Sequence, residues 1–88
     1  MYYVYIIQSV LDPCQTYIGC TENLEKRLSN HNAGTTYHTE KHRPWKLMVH
    51  IVFDNKEVAY EFETYLKSSS GRAFVAKRLW RSSTMMVK

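Results

Sequence analysis

Apolar residues occupy both faces of the first predicted element. Tyr3, Tyr5 and Ile7 fall on one side and Val4 and Ile6 on the other, a period of two that predicts a strand over residues 2–9 with both faces partly buried. Leu11-Asp12-Pro13-Cys14-Gln15 reads as a turn, because proline presets one backbone angle and aspartate can bond locally. Residues 16–20 then return as an antiparallel strand closed by Gly19, a hairpin that would bring Tyr5 and Tyr17 near each other. Thr21 or Asn23 can cap a helix running to about His31. Leu24 and Leu28 form its buried stripe, and Arg27 and His31, four apart, share that side. The helix ends before Ala33-Gly34.

Residues 35–44 are polar and predict an irregular loop. Trp45 to Phe53 is the next strand, and its run Leu47 to Phe53, apolar except for His50, predicts the central strand of a sheet. Asp54-Asn55-Lys56-Glu57 matches a capping pattern, with Asp in place of Ser or Thr, for a helix reaching about Ser68. Val58, Ala59, Phe62, Tyr65 and Leu66 make its core face. Ser68-Ser69-Ser70-Gly71 breaks the pattern. A last helix over residues 72–81 would turn Phe74, Val75, Leu79 and Trp80 inward, and the tail 82–88 is expected to fray. The order ββαβαα describes an α+β domain over residues 1–81, a small three-stranded antiparallel sheet flanked by helices.

Length and charge narrow the partners. With 88 residues there is room for one domain and one modest core. A net charge of +4 and a pI near 9.2 favour a polyanion. The basic residues cluster: His38, Lys41, His42, Arg43 and Lys46 stand against Glu40 alone, and Lys67, Arg72, Lys77, Arg78, Arg81 and Lys88 all follow the last acid, Glu63. Cys14 and Cys20 are spaced for neither a Cys-x-x-Cys motif nor a zinc knuckle. The opening apolar run is far too short to span a membrane and carries no targeting pattern, so a reducing cytoplasmic setting is expected.

The candidate chemistry lies in five side chains. A tyrosine in a strand is ordinarily a packing residue. The phenols of Tyr5 and Tyr17 could handle a proton only if a neighbouring cation or base lowered a pKa that starts near about 10. Arg27 lies on the apolar side of its helix, where a charge needs a reason, and a guanidinium can hold two phosphate oxygens at once. His31, one turn on, titrates close to neutrality and suits a proton relay. Capping explains Glu57, whereas Glu61 and Glu63 border the apolar stripe on opposite sides and periodicity does not choose between them. A Cys20–His31 nucleophile and base pair has no third orienting group, His38, His42 and His50 form no recognised metal set, and His50 reads as a core or edge histidine.

Tyr3-Val4-Tyr5, Tyr17-Ile18-Gly19, Leu24-Glu25-Lys26-Arg27-Leu28, Pro44-Trp45-Lys46-Leu47 and Ala59-x-x-x-Glu63-x-x-Leu66-Lys67 occur in this order. Together they resemble the GIY-YIG nuclease superfamily, up to about Lys77. Within it the chain is similar to the small stand-alone members and to the nuclease domain of the bacterial excision-repair incision subunit. The resemblance implies a divalent-metal-dependent endonuclease or structure-specific nuclease hydrolysing DNA. It implies Tyr5 as base with Tyr17 as its orienting partner, or the reverse, Arg27 on the phosphate, His31 as relay, and Glu63 as ligand of one Mg²⁺ or Mn²⁺. Lys41, Arg43, Lys46, Lys67, Arg72, Lys77 and Arg78 are the expected DNA contacts, and the reading admits a homodimer. Val75 stands where relatives often carry Asn, and Cys20 where Lys or an aromatic is frequent. These departures support the alternative of a catalytically weak or inactive nucleic-acid-binding module.

Overall fold

The structure is a computed structural model that describes residues 1–34 and 39–79; the expectations placed on the first part of the loop, residues 35–38 with His38 among them, and on Trp80, Arg81 and the tail 82–88 lie outside those residues. Aromatic and β-branched residues form strand β1, Tyr2–Ser9, and the turn that follows closes as the sequence predicts. Gln15 N–H donates to the Asp12 carbonyl at 2.8 Å, and Cys14 N–H to the Asp12 carboxylate at 3.3 Å. Strand β2, Thr16–Thr21, pairs antiparallel with β1, placing Tyr5 opposite Gly19 and Ile7 opposite Tyr17.

Strand β3, Trp45–Phe53, pairs antiparallel with the other side of β1, with a bulge at Ile6/Ile7, so the sheet order is β2-β1-β3. The central strand is therefore β1 and not β3. The reason is visible in burial: Val4, Tyr5, Ile6 and Ile7 are all buried, whereas Lys46, His50 and Val52 of β3 are exposed. An uninterrupted apolar run reports hydrophobicity on both faces, but hydrogen-bonding position is decided by which strand has neighbours on both sides.

Alternation along β1 builds two cores. Val4 and Ile6 pack with Cys20, Ala59 and Leu66 on one face; Tyr5 and Ile7 pack with Trp45 on the other, flanked by Leu24, Leu28 and Leu47. Helix α1, Leu24–Ala33, covers the Tyr5 face. Asn23 caps it by accepting from Lys26 N–H, and Gly34 ends it in the left-handed region at φ 80°.

Helix α2, Lys56–Lys67, covers the Val4 face. Asn55, not Asp54, is its cap and accepts from Val58 N–H. Glu57 then sits one position too early to close a reciprocal capping box. The serine run is a junction rather than a gap. Ser68 ends α2 and its hydroxyl accepts from Gly71 N–H, so helix α3, Ser69–Phe74, begins three residues earlier than expected and passes into a single π-type turn, Val75–Leu79.

The segment entering β3 is also more ordered than a loop. A 3₁₀ turn spans Glu40–His42. Ser9 Oγ donates to the His42 carbonyl at 2.6 Å, and Trp45 Nε1 donates to the Thr39 carbonyl at 2.7 Å. The Asn32 side chain bonds both backbone groups of Trp45, tying the end of α1 to the start of β3. Among the described residues no helix is long and apolar enough to cross a membrane.

Candidate active site

Tyr5 is held where the hairpin register and a missing side chain allow it. Its ring lies over Gly19: a Cβ there would stand 2.6 Å from Tyr5 Cζ, well inside ordinary carbon contact of roughly 3.5–4.0 Å. Only glycine leaves this space. Tyr5 is fully buried, its hydroxyl lies 2.8 Å from His31 Nε2, and His31 Nδ1 lies 2.8 Å from Thr39 Oγ1. His31, in the last turn of α1, is fully buried as well.

Burial pushes the Tyr5 phenol well above its ordinary value; the Arg27 charge and hydrogen bond pull against this, and Tyr17 and Glu63 add to it. Burial and the Arg27 charge hold the His31 imidazole below its ordinary value. Both groups are thus neutral near pH 7. A neutral imidazole has one donor and one acceptor nitrogen. Both contacts are met when one ring nitrogen donates and the other accepts, either with the Tyr5 hydroxyl donating to Nε2 and Nδ1–H donating to Thr39 or with the two directions reversed.

Tyr17 packs beside this pair, its ring centroid 6.3 Å from that of Tyr5 and 5.0 Å from that of His31. It is only half-buried and belongs to edge strand β2. Arg27, half-buried on α1, completes the group on this face.

Glu63 comes from the opposite face. Its side chain is 17% exposed and is paired with Lys67 at 3.0 Å, one turn along α2. Its charge reaches both Tyr5 and Cys20: burial first, then Glu63, raises the Cys20 thiol. Glu57 and Glu61 are exposed. The structure thereby separates Glu63 from Glu61, which periodicity could not. Among the described residues no three His, Cys, Asp or Glu gather as a metal cluster. One carboxylate without companions suits a hard cation that keeps most of its water, not a protein cage.

The basic residues divide. Lys41, Arg43 and Lys46 lie around the 3₁₀ turn and the start of β3, with the Arg43 guanidinium against Gly34 at the end of α1. Lys67, Arg72, Lys77 and Arg78 lie on α2, α3 and the π-type turn, beyond the other face of the sheet. All seven are exposed. A Cys20–His31 pair does not form, because Cys20 packs with Val4 and His31 with Tyr5, on opposite faces. His50 is an exposed residue of edge strand β3, 5.9 Å from the Tyr3 ring. Thr39 and Asn32, which position His31 and Trp45, carry no signal in the sequence; both are polar residues outside any periodic pattern.

Residues 1–78 match the family described as the GIY-YIG catalytic domain. Over 73 residues the chain is 40% identical to "Structure-specific endonuclease subunit SLX1" of Debaryomyces hansenii, an alignment covering 75% of this chain and 21% of that one. It thus spans about a fifth of that relative. "UPF0213 protein YsiG" of Lactococcus lactis is 39% identical over 67 residues, covering 75% of this chain and 62% of that protein. The solution structure of the UPF0213 protein BH0048 from Bacillus halodurans superposes with a TM-score of 0.53 at 26% identity, covering 90% of this chain and 87% of that one.

Proposed function

The chain belongs to the GIY-YIG nuclease family, and from that premise we propose an endonuclease that hydrolyses DNA phosphodiester bonds with one divalent cation, Mg²⁺ or Mn²⁺. The observation that carries the reading is the meeting of two faces at strand β2. Tyr5, Tyr17 and His31 pack together on one side beside α1, which carries Arg27, and α2, which carries Glu63, packs on β1 and β2 from the other.

In this proposal Arg27 braces the scissile phosphate and meets charge that develops on its oxygens. Tyr17, the less buried phenol, orients the attacking water. Tyr5 is its locked partner, because a fully buried phenol with a raised pKa is poorly placed to act as a free base. Of the two assignments the family resemblance allows, the geometry favours this one. His31, with both nitrogens engaged, acts through Tyr5 by holding its hydroxyl in place. Glu63 would hold the cation, which when bound supplies charge neutralisation at the phosphate and an acidified water. Lys67 already balances that carboxylate, so the cation must compete with an ammonium. The free thiols of Cys14 and Cys20 fit a reducing cytoplasmic setting.

The test is incubation of the purified protein with supercoiled, branched and single-stranded DNA and Mg²⁺ or Mn²⁺, alongside Glu63→Gln. The expected result is nicking by the native chain and loss in the variant with DNA binding retained. Nicking no greater than that of Glu63→Gln on every substrate would overturn the proposal.

A further inference from the structure

A groove of about 580 Å³ opens beside Tyr17 on the α2 side of the sheet. Its floor is apolar, made by Ile6 and Leu66, which are almost wholly buried, with Ile18 beside them. Val75 forms one wall. The charged side chains lining it are both cations, Lys67 and Arg72. Arg72 Nε donates to the Lys67 carbonyl at 3.4 Å, which keeps the two side chains on one rim. Lys67 is balanced by Glu63, whereas among the described residues Arg72 has no acidic partner.

An apolar floor with an uncompensated cation at its rim fits a ligand with a flat apolar face and an anionic group. The volume lies within the roughly 300–1,000 Å³ of small-ligand sites. In a duplex each base has both faces covered by its neighbours, so only an unstacked base can lay a face on the half-buried Ile18 and Val75, above Ile6 and Leu66. The groove shares Tyr17 with the candidate site, and Lys67 with Glu63, so a nucleotide lying in it would be continuous with a strand passing Arg27.

We propose that this groove binds one unpaired nucleotide flanking the scissile phosphate, its base on the apolar floor and its phosphate at Arg72. This rests on the nuclease reading for the strand's path, and the binding measurement stands apart from cleavage. A fluorescein-labelled single-stranded oligonucleotide, the same oligonucleotide carrying abasic sites, and a blunt duplex are titrated by anisotropy against Glu63→Gln protein without metal. Arg72→Ala and the groove-filling Ala76→Trp are tested in that background; both positions are exposed, and thermal melts confirm that each variant folds.

Each substitution is expected to weaken single-strand binding at least fivefold while changing duplex binding less than twofold. The abasic oligonucleotide should bind as weakly and be indifferent to Ala76→Trp. Equal binding of normal and abasic strands, or single-strand binding unmoved by Ala76→Trp, overturns the groove assignment even if the native chain cuts DNA. Selective binding by a native chain that never cuts sustains the groove and sinks the nuclease reading.

Discussion

Gly19→Ala adds one methyl group, and the structure fixes both the sign and the size of its effect. Gly19 does not adopt the positive φ that would strain an alanine, so with open space around it the substitution would stabilise the chain by about 0.4–1 kcal/mol through the unfolded state. The space is not open. The new carbon would lie 2.6 Å from Tyr5 Cζ and 2.9 Å from Cε2. Tyr5 has no route of retreat, being fully buried with its hydroxyl tied to His31. Overpacking of this kind costs about 1–3 kcal/mol. If the ring withdraws, the loss of a hydrogen bond adds ~0.5–1.5 kcal/mol. The contact therefore outweighs the entropic gain. In a domain of this length each kcal/mol lowers Tm by about 4–8 °C, so a cost in the middle of that range should show in thermal melts followed by circular dichroism as a fall of several degrees. Nicking should fall with it, since the Tyr5 ring packs beside Tyr17 and His31. An unchanged or higher Tm would refute the placement of the Tyr5 ring over Gly19, and with it the geometry of the site.

The remaining expectations test electrostatics and the metal reading. Because the folded His31 pKa lies below its ordinary value, the unfolded chain binds the extra proton first; its contribution to stability is complete above about pH 6.5 and is lost as pH falls toward the folded value. Imidazole resonances of His31 followed by NMR should titrate with a midpoint below 6.5, and one above it would contradict the buried neutral ring. Tyr5 runs the other way: its contribution is complete below about pH 10 and is lost as pH rises through the raised folded value, so a Tyr5 phenolate absorbance appearing below pH 10 in the folded chain would contradict its burial. Exposed Cys14 should react quickly with a thiol reagent at pH 8, while Cys20, buried and raised, should react only on the timescale of opening; equal rates would show Cys20 to be accessible. Lys67→Met frees Glu63 from a half-exposed partner whose pairing is worth ~0.2–1 kcal/mol. Mn²⁺ binding measured by electron paramagnetic resonance should tighten by up to about fivefold, and unchanged affinity would count against Glu63 as ligand.

Most of the architecture was legible because it depends on local pattern. Alternation in residues 2–9 announced a strand buried on both faces, and the Asp12-Pro13 turn set the hairpin that juxtaposes Tyr5 and Tyr17. What failed depends on neighbours the pattern cannot see. The apolar run in β3 suggested the central position, yet centrality belongs to β1 because the chain returns along its free side. The α2 cap lies one residue on, at Asn55, and α3 starts three residues early, at Ser69 behind the Ser68 cap, where adjacent polar residues compete to accept the same kind of orphan N–H. Glu61 and Glu63 were equivalent on a helical wheel. Burial separates them: Glu63 is half-buried and paired with Lys67, whereas Glu61 is exposed.

The division of the basic residues bears on how a polyanion could be held. Lys41 and Arg43 stand at the α1 end of one face, Lys67 and Arg72 beyond the other, with the sheet between them. One place where the faces meet is the free edge of β2, and Tyr17 belongs to both sides of it, packing with the Tyr5 core and lining the α2 groove. A strand of nucleic acid crossing that edge would meet Arg27 before it and Lys67 and Arg72 after it. Substitution of Lys41 and Arg43 should then weaken binding of long substrates and lower its salt dependence, while a short single strand filling only the groove is unaffected. Equal loss on both substrates would place the two basic groups on one continuous path and remove the edge of β2 as the crossing point.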